Sequence, residues 1–175
     1  LYDTAIGCLN KLTKNADEFI DSLPVHIKRL NPRIVKIWAL MTDGYDNASF
    51  SGPGDLRKTV ELAREDGTVC YFLAAYMDAQ EVGESFGFSA DNSLTFDADI
   101  QHAPCAMSSV TQNMLRTASD GISAPFSQMQ RQSSQNPTAT RHVSAPTNSF
   151  LGAINSPPPL PRVNLRVPPA TLLRQ

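Results

Sequence analysis

Apolar residues fall at helical spacing at the start of the chain. Leu1, Ala5, Cys8, Leu9 and Leu12 form one stripe, as on a surface helix packed against a core. Phe19, Ile20 and Leu23 extend the pattern toward Pro24. The period then changes. Arg33 to Met41 (RIVKIWALM) is a nearly continuous apolar run between Asn31-Pro32 and Asp43-Gly44, which predicts a central parallel strand buried on both faces. Asp55 is placed to cap a helix whose Leu56, Val60, Leu62 and Ala63 face inward, and Gly67 ends it. Thr68 to Ala75 (TVCYFLAA) is a second buried strand, Asp78 to Phe86 a short helix and Ser93 to Phe96 a short strand. Pro104 suits the first turn of a last helix ending near Ser119, because its missing N–H costs nothing there. This alternation predicts an α/β fold with a doubly wound, Rossmann-like, mostly parallel sheet and helices on both faces.

Charge divides the chain in two. Residues 1 to 120 hold all 17 acidic side chains against ten Lys and Arg, whereas residues 121 to 175 hold five Arg, no acid and nine of the 13 prolines. Few large apolar residues accompany that second composition, too few to offset the entropy of ordering. The expected organisation is therefore a body over 1–120 and a disordered or extended tail over 121–175. Within the tail, Pro157-Pro158-Pro159-Leu160-Pro161-Arg162 is a polyproline-II stretch whose Pro158, Pro159, Leu160 and Pro161 match what WW or SH3 grooves accept. A passive linker, or an arm ordered only against neighbouring subunits of an assembly, accounts for the same composition. With no Lys and no basic cluster in the tail, nucleic acid is not an expected partner. The longest apolar runs fall short of the roughly 20 residues of a membrane helix, so no membrane span is expected. Cys8, Cys70 and Cys105 lack the spacing of metal or redox pairs and read as buried free thiols, leaning toward a reducing intracellular compartment or a virion assembled in one.

Candidate chemistry lies after the first strand, because ligands of such sheets bind at the C-terminal edge of the strands. There the chain reads Thr42-Asp43-Gly44-Tyr45-Asp46-Asn47-Ala48-Ser49. An aspartate at a strand end beside a glycine suits a hard cation such as Mg²⁺, and Asp43 and Asn47 equally suit capping or turning the loop. An apolar strand followed by Thr-Asp-Gly-x-Asp-Asn-Ala-Ser resembles the fourth-strand metal motif of von Willebrand factor A (VWA) domains. Phe72-Leu73-Ala74-Ala75, Asp78-Ala79, Gly83, Gly87-Phe88-Ser89-Ala90 and Leu94-Thr95-Phe96 are similar to the run in bacterial and phage-type members, and Leu1 to Gly7 resembles the helix after that family's metal-binding threonine.

The resemblance implies a noncatalytic protein-interaction module of adhesion type that lacks its N-terminal first-strand portion. Of the family's metal-ion-dependent adhesion site, only the aspartate maps here, onto Asp43, with Thr42, Gly44, Asp46 and Asn47 beside it as partner-binding residues. The other ligands fall before Leu1. Mg²⁺ is therefore expected only in a longer parent protein, and no cofactor is expected for this chain alone. Thr4 lies within the helix, and Asp91-Asn92-Ser93-Leu94-Thr95 copies the missing loop in spelling but precedes the wrong strand. Implied partners are other proteins, including subunits of the same assembly. Two alternatives come from other classes. One is a structural component of a large assembly such as a virion, of minor-capsid type, with the tail as tether. The other is a serine hydrolase: Gly83-Glu84-Ser85-Phe86-Gly87 spells Gly-x-Ser-x-Gly, and Asp97 or Asp99 followed by His102 or His142 keeps a hydrolase triad's chain order. That motif, however, requires the serine on a sharp strand-to-helix turn.

Overall fold

A computed structural model describes residues 1–44, 46 and 48–135. The candidate residues Asn47 and His142 and the segment Pro157 to Arg162, with Pro158, Pro159, Leu160 and Pro161, lie outside the described residues. Helices α1 (Tyr2–Ser22) and α2 (Val25–Lys28) precede strand β1 (Ile37–Thr42). Helix α3 (Pro53–Glu65), strand β2 (Val69–Ala75) and helix α4 (Ala79–Ser85) follow. A single 3₁₀ turn (Ala90–Asn92) leads into strand β3 (Ser93–Phe96), then helices α5 (His102–Asp120) and α6 (Gln128–Ser133). The fold is α/β. Its three strands form one parallel sheet in the order β1-β2-β3, flanked by helices.

Alternation along β2 builds two cores. Cys70, Phe72 and Ala74 face Ala5 and Leu9 of α1, Leu56, Val60 and Ala63 of α3, and Ala79 of α4. Tyr71, Leu73 and Ala75 face the other way, packing with Leu94 and Phe96 of β3, Ala106 and Val110 of α5, and Phe126. A strand sealed on both faces has to be apolar throughout, which is why its composition is legible.

The expected central strand is instead an edge. β1 pairs with β2 alone among the described residues, and Ala39 and Met41 are exposed. An apolar run shows that a strand is covered somewhere but not which strand lies in the middle. Leu62 is also misplaced by the sequence reading. It is 56% exposed, because six residues of helix turn it well off the stripe through Leu56, Val60 and Ala63. Of the three cysteines, only Cys70 is buried. Cys105 is half-buried and Cys8 is exposed at the border of the α1 stripe.

The folded body runs past residue 120. After Gly121 ends α5 in a left-handed conformation, Phe126 inserts into the second core and its ring meets Tyr71 edge-on at 5.6 Å. Helix α6 then holds the 3₁₀ turn. Arg131 donates to the carbonyls of Ser93 at 2.6 Å, Ala90 at 3.0 Å and Asp91 at 3.1 Å. Residues 121–135 are thus part of the packed unit although their composition matches the tail. Among the described residues, no helix is long and apolar enough to cross a membrane.

Candidate functional site

Parallel register brings the three strands to a common C-terminal edge: Thr42 lies opposite Ala74, and Ala75 opposite Phe96. The segments that leave this edge are 43–52, 76–78 and 97–101. Thr42 is buried at the end of β1, where its hydroxyl donates to the Gly44 carbonyl at 2.7 Å and accepts the Gly44 N–H at 3.3 Å. This local turn carries Asp43 outward. The Asp43 carboxylate is exposed, and no hydrogen bond or ion pair among the described residues involves it.

Asp46 has the opposite environment. Its side chain is only 4% exposed and sits at the N-terminus of α1. It accepts the N–H groups of Tyr2 at 3.3 Å, Ala48 at 3.1 Å and Ser49 at 3.3 Å. The Ser49 hydroxyl and the N–H groups of Ala48 and Tyr2 hold the carboxyl far below the usual carboxylate range, against the opposing effect of burial. The exchange is reciprocal. Asp3, in the first turn of α1, accepts the N–H groups of Phe50 and Ser51, both at 2.9 Å. Bonding from Ser51 and Phe50 also lowers the Asp3 carboxyl. A helix N-terminus offers N–H donors without intrahelical partners, so a carboxylate is stabilised there. The 43–52 loop is thereby pinned to α1 by two aspartates, one from each side.

At the other two strand ends the acids also cap helices. Asp78 accepts the N–H groups of Gln80 at 2.9 Å and Glu81 at 3.3 Å. Asp99 accepts the His102 N–H at 2.7 Å and lies 2.7 Å from its Nδ1, and these contacts lower the Asp99 carboxyl. Between them Tyr76 adopts φ +59°, a left-handed conformation uncommon for an aromatic residue.

Among the described residues, no group of three or more His, Cys, Asp and Glu is arranged to hold a metal ion, and Asp46 is committed to α1. Asp43 is the one carboxylate of its loop without a partner among the described residues.

The Gly-x-Ser-x-Gly spelling has a packing role. Ser85 is the last residue of α4, where its hydroxyl donates to the Val82 carbonyl at 2.6 Å, and not a strand-to-helix turn. A Cβ on Gly83 would meet Ser93 Oγ at 2.5 Å and Phe72 Cδ1 at 3.0 Å, so glycine is what lets α4 lie this close to the sheet. Gly87 turns the chain at φ +85° directly over the Arg57 carbonyl. Elsewhere, a cleft of about 490 Å³ at the opposite edge of the sheet is lined by Arg64, Thr68, Cys70, Asn92 and Ser123, away from the strand-end motif. Burial pushes the Cys70 thiol there up to about 12, so it is no nucleophile at neutral pH.

Asp43 at the strand end is legible in the sequence, whereas Asp46, expected there as a partner-binding group, and Asp3 serve instead to tie the loop to α1. An acid in a first helical turn is a common signal, and its partners lie 47 and 48 residues away. No family model matches the chain, and neither a curated protein nor a solved structure matches it significantly.

Proposed function

We propose that this chain is a noncatalytic protein-interaction module of VWA type whose binding surface is the C-terminal edge of a doubly wound sheet. The observation that carries the reading is the treatment of the 43–52 loop: Asp46 and Asp3 are spent on fixing it to α1, and Asp43, directly after β1, is exposed and without a partner among the described residues. An exposed carboxylate beside a segment tied to a helix suits recognition, because less ordering entropy is lost on binding. The Thr-Asp-Gly-x-Asp-Asn-Ala-Ser spelling and its place directly after a strand of the parallel sheet support the family reading.

Binding without turnover fits the local chemistry. The Ser85 hydroxyl is engaged within its own helix, and the Asp99–His102 pair caps the start of α5. With Asp43 as its sole contribution to a metal site, the described surface relies on complementarity of shape and charge. The test is affinity capture from native cells with the full chain and its Asp43→Ala variant. Loss of one defined protein partner at unchanged thermal midpoint supports the reading, and equal capture by both proteins contradicts it.

A further inference from the structure

Each of the three strand-end segments exposes one large apolar side chain. Phe50 follows β1 and is 104% exposed, Tyr76 follows β2 at 67%, and Ile100 follows β3 at 92%. Isolated exposed apolar residues are ordinary on a protein surface. These three are different in that they lie in the segments that leave the three parallel strands at one edge, Phe50 eight residues beyond β1, Tyr76 directly after β2 and Ile100 four residues beyond β3, the edge where α/β sheets bind ligands. They are also held rather than dangling. The Phe50 N–H is bonded to Asp3 at 2.9 Å, the Tyr76 N–H donates to the Phe96 carbonyl at 3.3 Å, and Ile100 lies inside the turn that Asp99 closes onto Gln101 and His102. Tyr76 is displayed at an energetic cost, since the left-handed conformation crowds the Cβ of an L-residue against its backbone. Strain of that kind persists where the surroundings impose it and collects at functional sites.

Charge identifies the occupant. Segments 43–52, 76–78 and 97–101 contain Asp43, Asp46, Asp78, Asp97 and Asp99 and not one Lys or Arg. Arg131 of α6 acts on Asp78 and His102 on Asp99, but the acids outnumber these cations, so the potential over this edge is net negative, which disfavours phosphate-bearing nucleic acids and anionic lipid and draws cations. We propose that Phe50, Tyr76 and Ile100 form the docking surface for a cationic, amphipathic segment of a partner protein, its apolar side chains on this trio and its Arg or Lys side chains facing Asp43 and the neighbouring aspartates. The inference rests on the interaction reading above and names the partner's chemistry. Aromatic anchors ringed by complementary charge are the arrangement that concentrates binding energy in protein interfaces.

The probe is a synthetic peptide alternating Arg and Leu, titrated into the full chain, with a Glu–Leu twin and an Arg–Ser peptide as comparisons. The Arg–Leu peptide binds and weakens with added salt, and both comparisons bind about tenfold more weakly or worse. Phe50→Ser and Ile100→Ser each reduce its affinity about tenfold, while Leu115→Ser and Met129→Ser, at exposed apolar positions on α5 and α6, leave it unchanged. Equal binding of the Arg–Ser peptide, or equal loss in all four variants, overturns the proposal. Self-association of the chain that Phe50→Ser abolishes assigns the surface to a second copy and also overturns it. If the peptides fail but Asp43-dependent capture persists, only the cationic chemistry is wrong. If both fail, the interaction reading falls with it.

Discussion

The backbone N–H of Tyr2 donates to the Asp46 carboxylate at 3.3 Å across 44 residues of chain, and this bond, with its counterpart from Phe50 to Asp3, fixes the candidate loop to the start of α1. The same two aspartates give the loop a dependence on pH. Both carboxyls lie below their unfolded values, so their contribution is fully present above the unfolded range near about pH 4 and is lost as pH falls through the folded values. Asp46→Asn should lower the thermal midpoint at pH 7, and its difference from the parent should shrink steadily as pH is taken below about 4. A difference that stays constant between pH 7 and pH 3 would show that the charge on Asp46 does not hold the loop.

Glycines separate packing from propensity. Gly83→Ala drives a methyl into Ser93 and Phe72 and should destabilise, since overpacking costs about 1–3 kcal/mol against about 1 kcal/mol gained in helix propensity. Gly7→Ala, in the interior of α1 with open space around the added carbon, should stabilise by about 0.5–1 kcal/mol. Urea denaturation of the two variants measures both signs.

Residues 121–135 are predicted to be integral to the fold. Phe126→Ala removes a buried ring from the second core and should cost about 3–5 kcal/mol, whereas Phe50→Ala should stay within about 0.5 kcal/mol of the parent. Equal, small effects in both would place the end of the folded body near residue 120.

Tyr76 should show a conflict between stability and binding. Tyr76→Asn relieves the left-handed strain and should raise stability by about 0.5–1 kcal/mol while weakening the Arg–Leu peptide. Higher stability with unchanged affinity would remove Tyr76 from the docking surface.

Much of the fold is written locally. The TVCYFLAA run marks β2 because a strand covered on both faces must be apolar at every position, and Asp43 follows directly on β1 because the apolar run stops there. What escaped the sequence depends on distant contacts. Nothing in RIVKIWALM says that β1 lies at an edge, and nothing in α3 marks Leu62 as exposed except its exact angular position. The segment after residue 120 carries one aromatic anchor, Phe126, and an arginine whose acceptors lie 38 to 41 residues earlier, so composition alone assigns it to the tail. The roles of Asp3 and Asp46 were hidden for the same reason: each caps a partner more than 40 residues away.

Site-specific photo-crosslinking in native cells tests most directly whether the C-terminal edge of the sheet is the binding surface. With the photoreactive residue placed in turn at Phe50, Tyr76, Ile100, Leu30, Leu115 and Met129, all exposed, the first three positions should capture the same protein partner and the last three should not. Capture from Leu30, Leu115 or Met129 with none from the strand-end positions would contradict the account.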